Sequence, residues 1–249
     1  MARSQGRVPR LYCEQTLSAR SELTLSREAS HYLVTVLRLG DGAPARLFNA
    51  IDGEWQCAMS LANRKAARVR CDEHLREATP PPDIEYLFAP LKSARLDYLA
   101  QKATEMGVRT IRPVITRYTI ADKVNLDRMR ANAIEAAEQC NMVYVPDVAE
   151  PEKLAKLLAG WPDDRTLIFC DERADGASPV DTLNQLKPGP LAVLLGPEGG
   201  FSDEERDMIL SVPNAVALSL GPRIMRADTA AVAVLALMQS VLGDWREDK

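Results

Sequence analysis

A chain of 249 residues has room for one large domain or two modest ones, and it can bury a core without disulfides or metal staples. Hydrophobic residues at 46% and charged residues at 27% exclude wholesale disorder and a coiled coil. The net charge of −4, taken whole, speaks against a nucleic-acid binder.

The first ten residues, MARSQGRVPR, hold no apolar segment of the kind a secretory signal needs, so a cytoplasmic protein is expected. Charge is unevenly spread. Residues 1–80 carry 12 Lys/Arg against 9 Asp/Glu, or +3, and the remainder carries 19 against 26, or −7. Every basic residue in that first third except Lys65 is Arg, whose planar fork matches phosphate geometry. Such a region on an acidic body is compatible with nucleic-acid contact, and equally with a solvated surface. Glu28–Leu37 reads as a short helix leading into Arg38. Ala45–Phe48, Trp55–Met59 and Ala67–Cys71 read as strands, separated by turns at Gly40-Asp41-Gly42 and Asp52-Gly53. Several short strands within ~75 residues fit a small β-barrel or sandwich.

Thr79-Pro80-Pro81-Pro82-Asp83 marks a boundary, because three prolines continue neither a helix nor a central strand. Domains of 1–78 and 79–249 are expected. Beyond the prolines the pattern turns to β-α alternation. Ile84–Ala89 and Ile111–Ile115 are strand-like. Between them Ser93 resembles an N-cap, Leu96, Leu99, Ala100, Ala103 and Met106 share one helical face, and Gly107 is a stop. Leu126–Cys140 and Glu152–Leu158 read as helices, and Thr166–Cys170 and Leu191–Leu195 as buried strands. Ala215–Leu220 is a further strand, and Ala230–Leu242 is an almost wholly apolar helix. The expectation is an α/β domain with a mainly parallel sheet. The longest apolar stretch, Ala230 to Met238, is far short of the ~18–20 residues that span a bilayer, so no membrane partner is expected.

Chemistry concentrates in two segments. Leu195-Gly196-Pro197-Glu198-Gly199-Gly200-Phe201 follows a buried strand, and Ser202 with Glu205 then fits a capping box. Gly-rich turns at the C-terminal ends of parallel strands are where α/β sheets bind ligands. With Glu198 inside the turn and Asp203, Glu204 and Glu205 after it, a neutral or cationic ligand suits it better than phosphate. No Gly-Lys-Ser/Thr follows, and the spacing is not G-x-G-x-x-G. The second segment, Gly221-Pro222-Arg223-Ile224-Met225-Arg226-Ala227-Asp228-Thr229, repeats the geometry after its own strand. Asp228 or Thr229 is a candidate cap for the last helix. Asp228 is also the local candidate partner for Arg226, and that pair fits a structural role as well as a functional one. His31 and His74 lie in no metal or nucleophile pattern, and the five scattered cysteines form no C-x-x-C, so no metal is expected.

These segments resemble a known family. LLGPEGGFSDEE followed by LSLGPRIMRADTAA is similar to the two C-terminal motifs of the RsmE family, ribosomal RNA small subunit methyltransferases E of the SPOUT class. RVPRLY at Arg7–Tyr12 and HYLVTVLRLGDG at His31–Gly42 resemble its N-terminal motifs. LKSARLDYLAQKATEMGV at Leu91–Val108 and IEAAEQC at Ile134–Cys140 resemble its central ones. Two departures stand out. Asn141-Met142 follow AAEQC where the family usually has an Arg shortly after, and Asp228 stands where the last motif usually has Glu.

The resemblance implies a PUA-like β-barrel for RNA, then a SPOUT domain with a trefoil knot, acting as a homodimer. It implies methylation of N3 of a specific uridine in 16S ribosomal RNA, free or in the small subunit, with S-adenosyl-L-methionine as donor. Leu195, Gly196, Glu198, Gly199, Gly200, Leu218, Ser219, Leu220, Gly221, Ile224 and Met225 would bind that cofactor. Arg226 and Asp228 would be catalytic, with Arg226 steadying a uracil oxygen and Asp228 orienting Arg226 in preference to taking the proton. Arg7, Arg10 and Arg38 are the expected phosphate contacts. The alternatives are methylation elsewhere in RNA, such as a ribose 2′-hydroxyl in transfer RNA, and an assembly factor that binds RNA without catalysis.

Overall fold

Short half-buried stretches broken by turn residues build the first sheet. The computed structural model describes residues 8–61, 66–91, 93–120, 123–174 and 178–246. In chain order come β1 (Arg10–Tyr12), β2 (Glu22–Thr24), α1 (Arg27–Ser30), β3 (Pro44–Asn49), β4 (Gly53–Ser60) and β5 (Arg68–Arg76). Ser26 caps α1 through the Ala29 N–H, and the helix widens into a π-helical stretch, His31–Val36. The sheet order is β1-β3-β4-β5-β2; β1 pairs β3 in parallel and the other neighbours are antiparallel. Leu11 and Leu23, on opposite edge strands, share one apolar cluster with Leu33, Leu47, Met59 and Val69, so the sheet curls round a single core. Cys57 and Cys71 face each other within it, sulfurs 3.5 Å apart and both thiols free.

The chain divides into two compact units, residues 1–80 with 137–145, and 81–136 with 146–249. The reason for the excursion lies in a buried charge cluster in the first unit. Arg10 is only 6% exposed. Its Nε donates to Glu54 at 2.5 Å, Nη1 to the carbonyls of Ala137 and Glu138 at 3.1 and 3.0 Å, and Nη2 to that of Met142 at 2.8 Å. Its guanidinium also lies 4.3 Å from the centre of the Phe48 ring. Arg76 holds the other Glu54 oxygen at 2.6 Å and the Asn141 carbonyl at 2.6 Å. This corrects the expectation that Arg10 contacts RNA phosphate. Its donors are committed to carboxylate and main-chain carbonyls, so it is a structural cation. Asn141-Met142, where the family usually carries an Arg nearby, form the turn that Arg10 and Arg76 grip from outside. Burial works against the Glu54 carboxylate, but the hydrogen bonds from Arg10 and Arg76 overcome it and hold the group below the usual carboxylate range.

The second unit is a parallel sheet. Its strands are β6 (Ile84–Phe88), β7 (Thr110–Ile115), β8 (Asp147–Val148), β9 (Glu152–Lys153), β10 (Thr166–Cys170), β11 (Leu191–Leu195) and β12 (Ala215–Leu218). Their order is β12-β10-β11-β6-β7-β8, with β9 also on β7, and every pairing is parallel. β11 is buried along its whole length, as a central parallel strand must be. The helices are α2 (Ser93–Glu105), α3 (Leu126–Gln139), α4 (Leu154–Ala159), α5 (Pro179–Asn184), α6 (Asp203–Leu210) and α7 (Ala227–Val241). One sheet face packs on α2 and α7 through Leu96, Leu99, Val234, Leu235 and Met238. The other packs on α4 and α6 through Leu154, Leu158 and Ile209. Two expectations are corrected. Glu152–Lys153 pair with Val114–Ile115 as strand β9, so the helix expected from Glu152 begins at Leu154. The last helix begins at Ala227, which puts Asp228 and Thr229 inside its first turn rather than at its cap.

Tyr86 in β6 is fully buried, stacks on Phe88 at 5.1 Å, and its hydroxyl has no hydrogen-bond partner among the described residues. An unsatisfied buried hydroxyl costs about 1–3 kcal/mol. Tyr86→Phe is therefore expected to leave the melting temperature unchanged or to raise it by about 2–4 °C in a thermal scan; a fall would show a bonded hydroxyl. Removing one member of a buried ion pair costs about 3–5 kcal/mol, so Arg10→Ala should destabilise the first unit by that order in denaturant titration. Because the folded Glu54 value is depressed, its contribution is complete above the unfolded value of about 4.3 and is lost as pH falls through the folded one. Stability measured from pH 7 down to 3 should decline below about pH 4.3, and Glu54→Gln should flatten that decline.

Candidate active site

Strand register sets the site. Phe169 of β10 lies opposite Leu194 of β11, and Cys170 lies opposite Leu218 of β12. β11 and β12 flank β10 on either side and run the same way. Their C-terminal ends are therefore level, and the two loops singled out in the sequence leave one sheet edge with a single strand between them. That edge, beyond the carboxyl ends of parallel strands, is the ordinary ligand position of such sheets.

The loop after β11 is shaped by close packing. A Cβ at Gly196 would stand 2.6 Å from the Phe201 ring, so only glycine lets that ring fold back under the turn. Phe201 in turn meets Phe169 edge-on at 5.2 Å. The expected capping box is present. Ser202 accepts from the Glu205 N–H at 3.2 Å, and Glu205 accepts from the Ser202 N–H at 3.1 Å. Gly199 sits against Tyr118, which follows β7.

The acidity of this loop is compensated. Glu198 is ion-paired with Arg95 of α2. Asp203 pairs with Arg173 at 2.7 Å, and that hydrogen bond holds its carboxyl below the usual range. Glu204 lies 3.6 Å from Arg117, and Glu205 also accepts from the Arg117 N–H at 2.7 Å. Asp171, only 6% exposed just past β10, accepts from Arg206 of α6 at 2.8 Å. Arg95 falls within the Leu91–Val108 motif with no role marked for it, and none of Arg117, Tyr118, Asp171 and Arg206 stands out in the sequence. Their partners lie 30 or more residues away, and no local spacing announces them.

The loop after β12 is different. The strand ends at Leu218, two residues earlier than expected, which leaves Ser219 and Leu220 in the loop. Among the described residues, 219–225 make no backbone–backbone hydrogen bond; the Gly221 N–H reaches only the Ser219 hydroxyl, at 3.4 Å. Gly221 has φ +105°, a conformation L side chains rarely adopt. Main-chain donors and acceptors here are left to water or a ligand. Ile224 is 91% exposed, and Arg223 and Arg226 are exposed.

Arg226 is the N-cap residue of α7, and among the described residues its guanidinium has neither hydrogen bond nor ion pair. The expected Arg226–Asp228 pair is not formed. Asp228 is half-buried in the first helical turn and accepts from the Thr229 N–H at 2.9 Å. It also lies close enough to Tyr86 for its charge, after burial and the Cys170 thiol, to disfavour ionisation of that hydroxyl. Burial pushes the Cys170 thiol up to about 12, which disfavours its thiolate. In the first unit Arg38 is exposed at φ +55°, while Arg7 lies outside the described residues. Among the described residues no group of three His, Cys, Asp or Glu is placed to hold a metal ion, and no helix is long and apolar enough to cross a membrane.

Comparison with known proteins bears on this geometry. An RNA methyltransferase domain matches residues 78–239, and an RNA methyltransferase PUA domain matches residues 25–70. Ribosomal RNA small subunit methyltransferase E of Rickettsia conorii is 28% identical over 96% of this chain and 98% of its own. The enzyme of that name from Bacillus subtilis is 24% identical over 90% and 91%. The Neisseria gonorrhoeae enzyme, solved bound to S-adenosyl methionine, superposes with a TM-score of 0.86 at 25% identity, covering 96% of this chain and 100% of that one. A Legionella pneumophila protein solved with bound SAM gives the same TM-score at 30% identity, with the same coverage. The chain belongs to the RsmE family of RNA methyltransferases.

Proposed function

We propose that the second unit transfers a methyl group from S-adenosyl-L-methionine to N3 of one uridine in 16S ribosomal RNA, with residues 1–78 holding the RNA. What carries the reading is the pair of level loops at one sheet edge, beside exposed Arg226; among the described residues, one loop makes no backbone–backbone hydrogen bond and Arg226 has no partner. The donor suits this place. It is compact, bears a cationic sulfonium, and needs polar main chain at close range. Leu195, Gly196, Glu198, Gly199 and Gly200 on one side, and Leu218, Ser219, Leu220, Gly221, Ile224 and Met225 on the other, would hold it. When bound it supplies an electrophilic methyl group. The trefoil knot and the homodimer that the family resemblance implies belong to the same proposal, and the mass in solution tests the dimer.

The protein's own task is to make uridine N3 a nucleophile and to aim it. The Arg226 guanidinium, facing a uracil carbonyl oxygen, stabilises negative charge there and so makes the N3 proton more acidic. A carboxylate already paired to Arg is a weak base, and Asp228 is not so paired. We therefore assign Asp228 to accept the N3 proton rather than to orient Arg226. Being one methylene shorter than Glu, it reaches less far from the helix. Arg38, exposed and unpaired among the described residues, remains the phosphate contact in the first unit.

Mass mapping of small-subunit RNA from cells with and without the gene should show loss of a single methyl on one uridine. A methyl lost from a ribose, or from transfer RNA, would replace this reading with another RNA position. Unchanged RNA would replace it with a non-catalytic binder. Arg226→Ala and Asp228→Ala should each keep donor affinity within about threefold by calorimetry while single-turnover methylation falls about 10²-fold or more. Near wild-type turnover in either variant would refute that residue's role.

A further inference from the structure

The turn after β7 carries a feature that the methyl-transfer reading leaves unused. Tyr118 is 45% exposed, and one edge of its side chain is seated on the donor loop: a Cβ at Gly199 would lie 3.4 Å from the Tyr118 Cβ and 3.7 Å from its Cγ. The turn that presents it is closed on itself. The N–H of buried Thr116 donates to the Thr119 hydroxyl at 2.9 Å, and the Thr119 N–H donates back to the Thr116 carbonyl at 3.2 Å. It is also fastened to the start of α6, where Glu205 accepts the Arg117 N–H at 2.7 Å. An exposed aromatic ring is thus held on a braced turn, at the sheet edge where the donor loops emerge. The neighbouring Arg117 side chain is 63% exposed, and its nearest carboxylate, Glu204, stands 3.6 Å away.

We propose that Tyr118 is the stacking surface for the pyrimidine base that is to be methylated. The inference rests on the RNA-methylation reading above and adds the residue that captures the base. A base edge can be modified only once the base has left its stack, and a π-face beside the reacting site is the usual way to receive it. Aromatic residues are only 5% of this chain, which argues against an extended stacking platform and for a single well-placed ring. Arg117 beside it matches the flanking phosphate of the same nucleotide.

Direct titration with small-subunit RNA at saturating S-adenosylhomocysteine, which has no methyl to give, reads binding, and steady-state methylation reads KM and kcat. Tyr118→Leu keeps an apolar side chain against Gly199 but removes the π-face. It should weaken RNA binding, and raise KM for RNA, about tenfold, with kcat within about twofold and donor affinity unchanged. Tyr118→Phe and Tyr118→Trp should restore the loss. Unchanged RNA affinity in Tyr118→Leu would overturn the proposal. So would an equal fall in donor affinity, because the ring would then only brace the loop. Failure of the wild-type protein to methylate RNA would instead count against the reading on which this inference rests, and the two outcomes are read in separate assays.

Discussion

Parallel strands end on the same side of a sheet, and here β10 is paired in parallel with both of its neighbours. That constraint brings residues 196–201 and 219–226 to one edge although they are separated by helix α6 and strand β12. The pairing depends in turn on strands that can be buried on both faces, and the apolar runs Leu167–Phe169 and Leu191–Leu195 meet that demand. Helices α2 and α7 cover one side, α4 and α6 the other. With the strands fixed, the loops have little choice about where they begin.

Electrostatics then decides what those loops tolerate. Four carboxylates crowd the stretch from Glu198 to Glu205, and in isolation they would repel RNA. Arg95, Arg173 and Arg117 each take one, and the capping box takes the fourth. Exposed pairs of this kind add little to stability. Their effect is to match the acids of this loop locally, while Arg226 has no acidic partner among the described residues. The first unit uses arginine differently. Arg10 and Arg76 close on buried Glu54 and on the carbonyls of 137–142, which draws a segment distant in sequence into that unit.

Much of the second unit was legible because its signals are local. Continuous apolar runs marked β10 and β11, the spacing Ser202 to Glu205 marked the start of α6, and Gly107 marked the end of α2, where it adopts φ +71°. Errors arose where a distant partner overrides local pattern. Glu152–Lys153 read as helix because the residues after them are helical, yet their backbone pairs with β7. Arg10 read as a phosphate contact because nothing local marks it as buried, and the carboxylate it pairs with comes from 44 residues away. The Gly-rich loop after β11 and the Gly-Pro-Arg loop after β12 were recognisable from their residues, whereas Tyr118 was not. An isolated tyrosine after a strand has no signature until the turn is folded against Gly199.

The central claim is that the level ends of β11 and β12 hold the methyl donor in their main chain. Amide hydrogen exchange with and without S-adenosylmethionine addresses it directly, since residues 219–225 begin without backbone–backbone hydrogen bonds among the described residues. The account predicts slowed exchange in 196–201 and 219–226 when the donor is added, with the first unit unchanged. Exchange in those two loops that stays the same, or protection that falls on the first sheet instead, would contradict it.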